Sequence, residues 1–239
     1  MRTALILCLL TVPMFAQSAQ KTESFWEKVL RIAGVSSNPT ALRGGEKTSS
    51  GDVWIAPAVA KPVLQRLTRD GGFSSPVFDA RDQSVFVLKG GDLYRVPLEG
   101  GSPARVHSLP AVTKLVGISR DDPDQLLVLA KSAQSGSGVA LMSVKTGALT
   151  AVPFNARSNE DQMMLAHLAG WERVFGDVRL YCEDEEKEAA GGSTIRFTDV
   201  YLKRGSDPPI NLTNGDGISS CQPSLSTDGK RVVFIRAPR

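Results

Sequence analysis

The sequence predicts an all-β protein, a β-propeller of about four blades with four antiparallel strands in each. Short runs of β-branched and aromatic residues alternate with Gly, Asp, Asn and Pro turns from position 51 onward. No long helical pattern separates these runs, which disfavours parallel sheets and βαβ units. One turn-and-strand pattern recurs at a spacing of about 40 residues, which is typical of four-stranded propeller blades.

The composition fits one globular domain and gives no sign of nucleic-acid binding. The chain has 239 residues, of which 41% are hydrophobic and 22% charged, with a formal net charge of +3. All-β domains commonly reach this length undivided. Lysine and arginine are scattered and form no basic run or basic helix face, so the charge pattern of a nucleic-acid-binding protein is missing.

The first 19 residues have the layout of a secretory signal peptide. Arg2 precedes an apolar run, and small and polar residues follow it. Because the apolar run is too short to span a bilayer comfortably, a membrane anchor or a buried helix is the weaker alternative. Cleavage after Ala16, Ser18 or Ala19 fits the pattern. We therefore expect a periplasmic or secreted protein with no stable membrane insertion once the signal is removed.

Residues 20–50 are predicted to form a short amphipathic helix and a linker. Phe25, Val29 and Ile32 share one face at helical spacing, and Gly34 ends the helix. Only two basic residues lie on the opposite face, which favours packing on the domain over a membrane-surface role. A stretch rich in Gly, Ser, Asn and Pro follows as the linker. The propeller is expected to occupy residues 51–239.

Two cysteines remain after removal of a signal peptide, Cys182 and Cys221. In an exported protein such a pair can form a disulfide. Both also lie in strand-like runs, where free cysteine serves as a small buried hydrophobe, and the sequence leaves both alternatives open. With His107 and His167 as the histidines of the chain, no convincing zinc site can be assembled.

The repeated pattern has an apolar residue with Ser or Asp, a tight turn containing Asp, and an apolar strand. Its copies are FDARDQSVFVL from Phe78, ISRDDPDQLLVLA from Ile118 and LSTDGKRVVFI from Leu225, with a weaker copy from His167. A second shared element, Leu-Thr followed by a Gly-rich turn, Ser-Ser and a Pro, begins at Leu67 and again at Leu212. These repeats carry the propeller prediction.

The last copy resembles the repeat of TolB-type, WD-repeat-like β-propellers. Leu225 stands where the family has an aromatic residue, and Thr227 stands where it has proline. The earlier copies keep mainly Asp82, or the stretch from Asp121 to Asp124. The resemblance implies a structural role for the matching residues, which are Leu212, Thr213, Pro223, Ser226, Asp228, Gly229 and Lys230, followed by an apolar strand.

The final repeat also predicts how the two ends of the domain meet. Residues 219–235 would supply the two inner strands of a blade, and the chain then has only four more residues. The two outer strands would come from GDVWIAPAV and KPVLQRLT, at residues 51–68. Such a shared blade joins the first and last blades and leaves no long open edge between them.

No residue pattern predicts catalysis or a cofactor. The nucleophile elbow, the zinc-protease motif, the phosphate-binding loop and the dinucleotide-binding glycines are all missing. GGST at Gly191 lies in a polar loop, without the strand–turn–helix context of a nucleophile. His167 could act as a base in principle, but a lone histidine without a visible partner is more often structural.

Several acidic or polar segments have a functional and a structural interpretation. Asp121, Asp122 and Asp124 could hold calcium, although their alignment with the other Asp turns favours turn stabilisation. Glu183 to Glu188 is expected to be a solvated loop and a weak candidate for a partner contact. Asn211-Leu212-Thr213 matches a glycosylation acceptor, but Leu-Thr belongs to the repeat, which favours a structural role.

Taken together, the sequence favours a non-catalytic exported propeller that binds a protein or a small ligand in the cell envelope. Propellers present loops around a central channel, where ligands or protein segments are usually held. The alternative is a secreted hydrolase, or the accessory propeller of a peptidase- or glycan-acting enzyme. A structural module in a larger envelope complex is a third hypothesis.

Overall fold

The computed structural model describes residues 50–119, 122–132, 136–153, 155, 157–188 and 191–237. The predicted signal peptide and the predicted N-terminal helix lie outside these ranges. Within them, no helix is both long and apolar enough to cross a bilayer. The described part contains sixteen strands and one helix. In chain order they are β1 (Asp52–Pro57), β2 (Gln65–Arg66), β3 (Ser74–Phe78), β4 (Ser84–Lys89), β5 (Asp92–Pro97), β6 (Ala104–Ser108), β7 (Val112–Ile118), β8 (Gln125–Ser132), β9 (Gly136–Ser143), β10 (Leu149–Ala151), α1 (Asn159–Ala169), β11 (Arg173–Phe175), β12 (Val178–Glu188), β13 (Thr194–Arg204), β14 (Ile210–Asn211), β15 (Ser220–Leu225) and β16 (Arg231–Arg236).

The strands form four antiparallel sheets of four strands each, which we call blades 1 to 4. The strand order is β3-β4-β5-β6 in blade 2, β7-β8-β9-β10 in blade 3 and β11-β12-β13-β14 in blade 4. Blade 1 has the order β15-β16-β1-β2 and so contains strands from both ends of the domain. The all-β, four-bladed architecture predicted from the repeats is confirmed.

The two ends of the domain meet through a continuous backbone ladder in blade 1. β1 pairs with β16 over six residue pairs, from Asp52 opposite Arg236 to Pro57 opposite Arg231. As the sequence predicted, the last repeat supplies the inner strands β15 and β16, and residues near position 51 supply the outer strands. β2, however, is only two residues long, Gln65–Arg66.

The first strand of every blade lies innermost, and the four inner strands converge on one narrow cavity. Residues of β3, β7, β11 and β15 line it, together with the turns that follow β3 and β15. Its volume is about 30 Å³, roughly two to three times the smallest cavity that can hold one water molecule. This convergence is the geometry of a β-propeller, although the axial channel is too narrow here to admit a larger ligand.

Apolar layers between neighbouring blades hold the sheets together. Because successive side chains of a strand point to opposite faces, each central strand contributes to two layers. In β16, Val233 and Ile235 pack with blade 2, and Phe234 packs with blade 4. Phe234 is fully buried, and truncating such a side chain to alanine typically costs about 3–5 kcal/mol.

The helix α1 was not predicted, because the sequence shows no long helical pattern at these residues. Ser158 caps it by accepting a hydrogen bond from the backbone N–H of Asp161 at 3.3 Å. Its buried end carries Leu168, which packs against Val116 and Leu127 of blade 3. The helix thus covers the side of blade 3 that leads into blade 4.

The acidic segment Glu183–Glu188 is strand and not the solvated loop that its composition predicted. β12 continues through it and pairs with β13 without a break, from Val178 opposite Arg204 to Glu188 opposite Thr194. Opposite charges face each other at Glu186 and Arg196, whose Oε1 and Nε atoms lie 2.7 Å apart. The cross-strand ladder therefore overrides the weak strand propensity of the acidic residues.

Candidate functional site

The Leu-Thr element of the repeat fastens the outer strand of a blade to its third strand. In blade 4, Thr213 is fully buried, and its Oγ1 accepts a hydrogen bond from the Val200 backbone N–H at 3.1 Å. The same hydroxyl donates to Oδ1 of the buried Asp199 at 2.6 Å. Leu212 beside it is buried among the apolar residues of blades 4 and 1. These contacts are structural in character.

Blade 1 repeats this arrangement at the equivalent positions. Thr68 accepts from the Val53 backbone N–H at 2.9 Å and donates to Asp52 Oδ1 at 3.1 Å. The third strand carries the same sequence in both blades, Asp-Val followed by an aromatic residue. Blade 2 has the related Asp92-Leu-Tyr, where Arg105 binds the carboxylate. This threefold pattern is visible in the sequence, and our sequence analysis missed it.

The Asp-Gly-Lys turn of the repeat is held by its own side chains. Ser226 donates to Asp228 Oδ1 at 2.6 Å, and the Lys230 backbone N–H donates to the same oxygen at 3.0 Å. The Ser226 hydroxyl and then this N–H hold the pKa of Asp228 below its ordinary value. Gly229 has φ of 71°, in the left-handed region that favours glycine.

Asp82 joins the turns of two neighbouring blades. Its carboxylate in blade 2 accepts from the backbone N–H groups of Thr227 and Asp228 in blade 1, at 2.9 and 3.2 Å. The Asp82 carbonyl also accepts from Arg231 Nη2 at 2.8 Å. Asp82, which the repeat copy from Phe78 retains, thus links two neighbouring blades.

The repeat prolines lie at matching bulges in neighbouring inner strands. Pro223 follows Gln222, which has φ of 59°, and Pro76 follows Ser75, which has φ of 53°. Both strands shift their pairing register at this point. The Ser75 backbone N–H donates to Gln222 Oε1 at 2.6 Å, so the two bulges bind each other.

The two histidines lie in different elements, His107 on β6 and His167 in α1. His107 in blade 2 contacts the Val144 carbonyl oxygen through Nε2 at 2.7 Å. His167 is buried in α1. Burial, and then the nearby guanidinium of Arg173, lower the pKa of His167 below its ordinary value. Within the described ranges, no three or more His, Cys, Asp or Glu side chains cluster closely enough to hold a metal ion.

Buried cations close the end of α1. Lys114 of β7 donates to the carbonyl oxygens of Ala169 and Gly170, and its Nζ lies 3.5 Å from the centre of the Trp171 ring. Arg173 donates to the Gly170 carbonyl at 2.7 Å. Burial lowers the pKa of Arg173 to about 10, so it stays protonated at neutral pH. Cations at a helix C-terminus are favoured by the helix dipole, and the cluster serves to join blades 3 and 4.

The aspartate turn of blade 3 binds its own backbone. Asp122 Oδ1 accepts from the Asp124 N–H at 3.0 Å. The two carboxylate oxygens of Asp124 accept from the Lys145 N–H at 3.0 Å and from the Ser143 hydroxyl at 3.2 Å. Asp121 lies outside the described residues. These contacts are those expected of a turn-stabilising carboxylate.

The side-chain amide of Asn211 is engaged on both of its sides. Nδ2 donates to Asp199 Oδ2 at 2.7 Å, and Oδ1 accepts from the Thr213 backbone N–H at 2.9 Å. A glycan on Nδ2 would have to displace the contact with a fully buried carboxylate. The geometry therefore favours the structural interpretation of this acceptor sequence.

A disulfide joins blade 4 to blade 1. The Sγ atoms of Cys182 on β12 and Cys221 on β15 are 2.11 Å apart. Cys182 comes directly before the acidic part of β12, so the covalent link lies where that strand leaves its sheet. It ties the base of the projecting hairpin to the innermost strand of the neighbouring blade.

The distal part of this hairpin, residues 183–188 and 194–199, forms a two-stranded projection that we call the ribbon. It extends beyond its sheet, because β11 pairs with β12 only at Val178–Leu180 and β14 pairs with β13 only at Tyr201 and Leu202. Six residue pairs span about 20 Å. Six of its twelve residues are acidic and two are basic, and the turn beyond it includes Gly191 and Gly192.

A cleft of about 330 Å³ lies on the face of blade 1 that points toward blade 4. Trp54 lines it, and the guanidinium carbons of Arg236 and Arg66 lie 5.2 and 6.0 Å from the centroid of its ring. Asp52 pairs with Arg66 at 2.6 Å, and Asp216 pairs with Arg236. Among the described residues, Leu64, Ile218 and Ala237 also line it.

The structure is similar to two solved TolB structures. A protein assigned as TolB from Agrobacterium tumefaciens is 19% identical with a TM-score of 0.40, and the match covers 76% of this chain and 60% of that one. TolB from Acinetobacter baumannii is 16% identical with a TM-score of 0.32, covering 79% and 47%. The chain thus spans about half of each neighbour. No protein-family model matches the sequence, and no curated protein matches it. The assignment of the fold rests on the chain's own sheet order.

Proposed function

We propose that this chain is an exported, non-catalytic binding scaffold of the cell envelope, and that the ribbon is its contact surface for a protein partner. The observation that carries the proposal is the projection of β12 and β13 beyond the four-stranded part of blade 4. Most of its side chains on β12 are exposed. Phe197 of the ribbon is buried but Ile195 is exposed, so core packing does not account for the whole length of the hairpin.

The ribbon offers two outer strand edges and an excess of acidic over basic side chains. On the ribbon side of Leu180 in β12 and of Tyr201 in β13, no strand in the described ranges pairs with the outer edge of either strand. Strand edges of this kind can bind an extended segment of another protein through main-chain hydrogen bonds. The excess of carboxylates favours a partner with a basic surface, because complementary charge speeds and orients association.

The ribbon is held firmly enough to present one surface. Tyr181 and Tyr201 stack across the hairpin with ring centroids 5.6 Å apart. Thr198 donates to Asp184 Oδ1 at 2.8 Å, and the disulfide fixes the hairpin base to blade 1. A contact element that is already ordered binds at a lower entropic cost than a flexible loop.

The ribbon can be shortened at a pair of opposed residues, and the unfolding midpoint of the shortened chain is measured because the buried Phe197 is lost with it. Glu183 and Asp199 lie directly opposite each other, so residues 184–198 can be replaced by an Asn-Gly two-residue turn. We expect the full chain to retain a stoichiometric protein from envelope extract at low salt, and the shortened chain to lose it. The retained protein should also dissociate as the salt concentration rises, since exposed charge pairs are screened.

A crosslinking experiment supplies the matched control. A photoreactive residue at Glu188, on the ribbon, should form an adduct with that same protein, and one at the exposed Arg69 in blade 1 should not. Equal retention by the shortened chain, or equal adducts at both positions, would refute the ribbon as the contact. Turnover of a peptide or glycan by the purified chain would refute the non-catalytic role.

Export is tested separately. We expect cell fractionation to recover the chain outside the cytoplasm, with an N-terminus that follows Ala16, Ser18 or Ala19. A chain that keeps Met1 and stays in the cytoplasm would contradict this part of the proposal.

A further inference from the structure

We propose that acid detaches helix α1 from blade 3, so that the contact between this helix and the propeller is a pH-sensitive joint centred on His167. The device depends neither on the ribbon nor on a protein partner. His167 lies in the last turn of α1 and is only 5% exposed. A proton added to an imidazole in that position creates a buried cation, which is costly unless the helix moves into water.

The charged groups that face His167 make this added charge more costly. They are Lys114 of β7 and, in the segment that enters β11, Glu172 and Arg173. All three are buried. Glu172, the anion among them, is paired with Arg179 of β12, whose Nε lies 2.6 Å from Oε1. Of the charged groups described at this joint, three are therefore cations and one is an anion before His167 gains a proton.

The dipole of α1 acts in the opposite direction but does not outweigh these groups. A cation in the last turn of a helix gains about 0.3–1 kcal/mol at an exposed site. At this end, however, Lys114 Nζ already donates to the carbonyl oxygens of Ala169 and Gly170. Arg173 Nη1 also donates to the Gly170 carbonyl oxygen. Burial, and then Arg173, hold the pKa of His167 below its ordinary value, so acid favours the detached helix.

The helix is the unit that gives way because it is short and packs through its C-terminal half. It has eleven residues, and isolated helices of that length are marginal in water. Leu168 holds it to blade 3 by packing against Val116 and Leu127. The blades, by contrast, are joined by strand ladders and by apolar layers between sheets. Because the least stable unit of a fold opens first, protonation acts on α1 before it acts on the blades.

The pH window follows from the linkage between protonation and docking. In water, the imidazole of a detached His167 has the ordinary pKa of 6.5, and the docked imidazole has a lower one. The contribution of His167 to docking is therefore fully present above about pH 6.5, and it is lost as the pH falls from there through the pKa of the docked state. Detachment exposes apolar residues of blade 3 that pack against α1, among them Val116 and Leu127.

The test is hydrogen–deuterium exchange of the purified full-length chain, measured by mass spectrometry at about pH 7 and about pH 5 and corrected for the intrinsic pH dependence of exchange. We expect the amide protection of residues 159–169 to fall at least about threefold more than that of β4 and β16. Unchanged protection of the helix would overturn the inference. An equal loss in the helix and in both strands would mean global unfolding and would overturn it as well.

The two histidines of the chain provide a matched pair of variants. The side chain of His167→Gln stays neutral, so the protection of α1 in this variant should be the same at both pH values. His107→Gln removes the histidine of β6, whose Nε2 contacts the Val144 carbonyl oxygen, and should keep the response of the wild type. Equal responses of the two variants would contradict the assignment to His167.

A direct titration covers the case in which His167→Gln does not dock its helix. The two imidazole signals of the wild type are followed by nuclear magnetic resonance against pH, and the spectrum of His107→Gln identifies the signal of His167. A midpoint below the ordinary value of 6.5 supports the inference. A midpoint at or above that value overturns it, because acid would then not favour the detached helix.

Discussion

Thr213→Val tests whether the Leu-Thr element of the repeat holds a blade together. Valine keeps the shape of threonine but removes the hydroxyl. In the fully buried site, the Asp199 carboxylate then loses a donor at 2.6 Å and the Val200 N–H loses its acceptor at 3.1 Å. A hydrogen bond to a charged group contributes about 1.5–3 kcal/mol, and an unpaired buried N–H costs about 1–3 kcal/mol. Because Asp199 keeps its bond to Asn211, we expect the free energy of unfolding to fall by about 3 kcal/mol.

The matched control is Thr213→Ser, which keeps the hydroxyl and loses one buried methyl group. That loss should cost about 1 kcal/mol. The assay is equilibrium denaturation of the oxidised protein in guanidinium chloride, followed by tryptophan fluorescence and by circular dichroism to check that the two transitions coincide. If the valine and serine variants agree within about 0.5 kcal/mol, the hydrogen bonds do not carry the stability and the reasoning is refuted.

Three further predictions follow from the structure. Replacing Cys182 and Cys221 together by alanine should lower the free energy of unfolding by about 2–4 kcal/mol, and added reductant should lower the denaturation midpoint of the wild type but not of the variant. The folded-state pKa of His167 lies below its ordinary value of 6.5, so folding favours the neutral imidazole. The resulting contribution to the free energy of unfolding is fully present above about pH 6.5 and is lost as the pH falls through the folded-state pKa. The slope of stability against pH in this window should therefore be smaller in His167→Gln, and an unchanged slope would contradict the assignment. Asp82→Ala should cost about 2 kcal/mol because two N–H groups of the neighbouring blade lose their acceptor, whereas Asp82→Asn, which keeps one acceptor, should cost less in the same denaturation assay.

The strand order could be predicted because its signals are local and repeated. An apolar run with Asp turns at fixed spacing specifies both the strand and its antiparallel neighbour. The last repeat, around Leu225, contains only the two inner strands of its blade, so two outer strands had to come from elsewhere in the chain. The runs near Val53 supplied them, as the pairing of β1 with β16 shows. Repetition therefore predicted long-range pairing that strand propensity alone does not specify.

The helix and the ribbon could not be predicted because tertiary contacts decide both. Residues 159–162 are all polar, so α1 shows little amphipathic pattern, and its stability comes from the Ser158 cap and from Leu168 against blade 3. In the ribbon, each acidic residue has low strand propensity, and pairing with β13 carries the strand onward. Composition predicts a loop in both places.

The candidate cleft escaped sequence analysis for a different reason. Its residues come from positions 52–66 and 216–237, which only the shared blade brings together. The local sequence marks Trp54 and Arg66 as ordinary strand residues, and Arg236 as one of the basic residues near the C-terminus. Nothing in their local sequence predicts that two guanidinium groups flank one indole.

The pairing of β1 with β16 also sets an order of events during synthesis. A ribosome produces the N-terminal end first, so β1 must wait for about 180 later residues before its partner emerges. Until then the apolar residues on both faces of β1 have no stable covering, and a nascent chain interrupted before residue 231 would expose them.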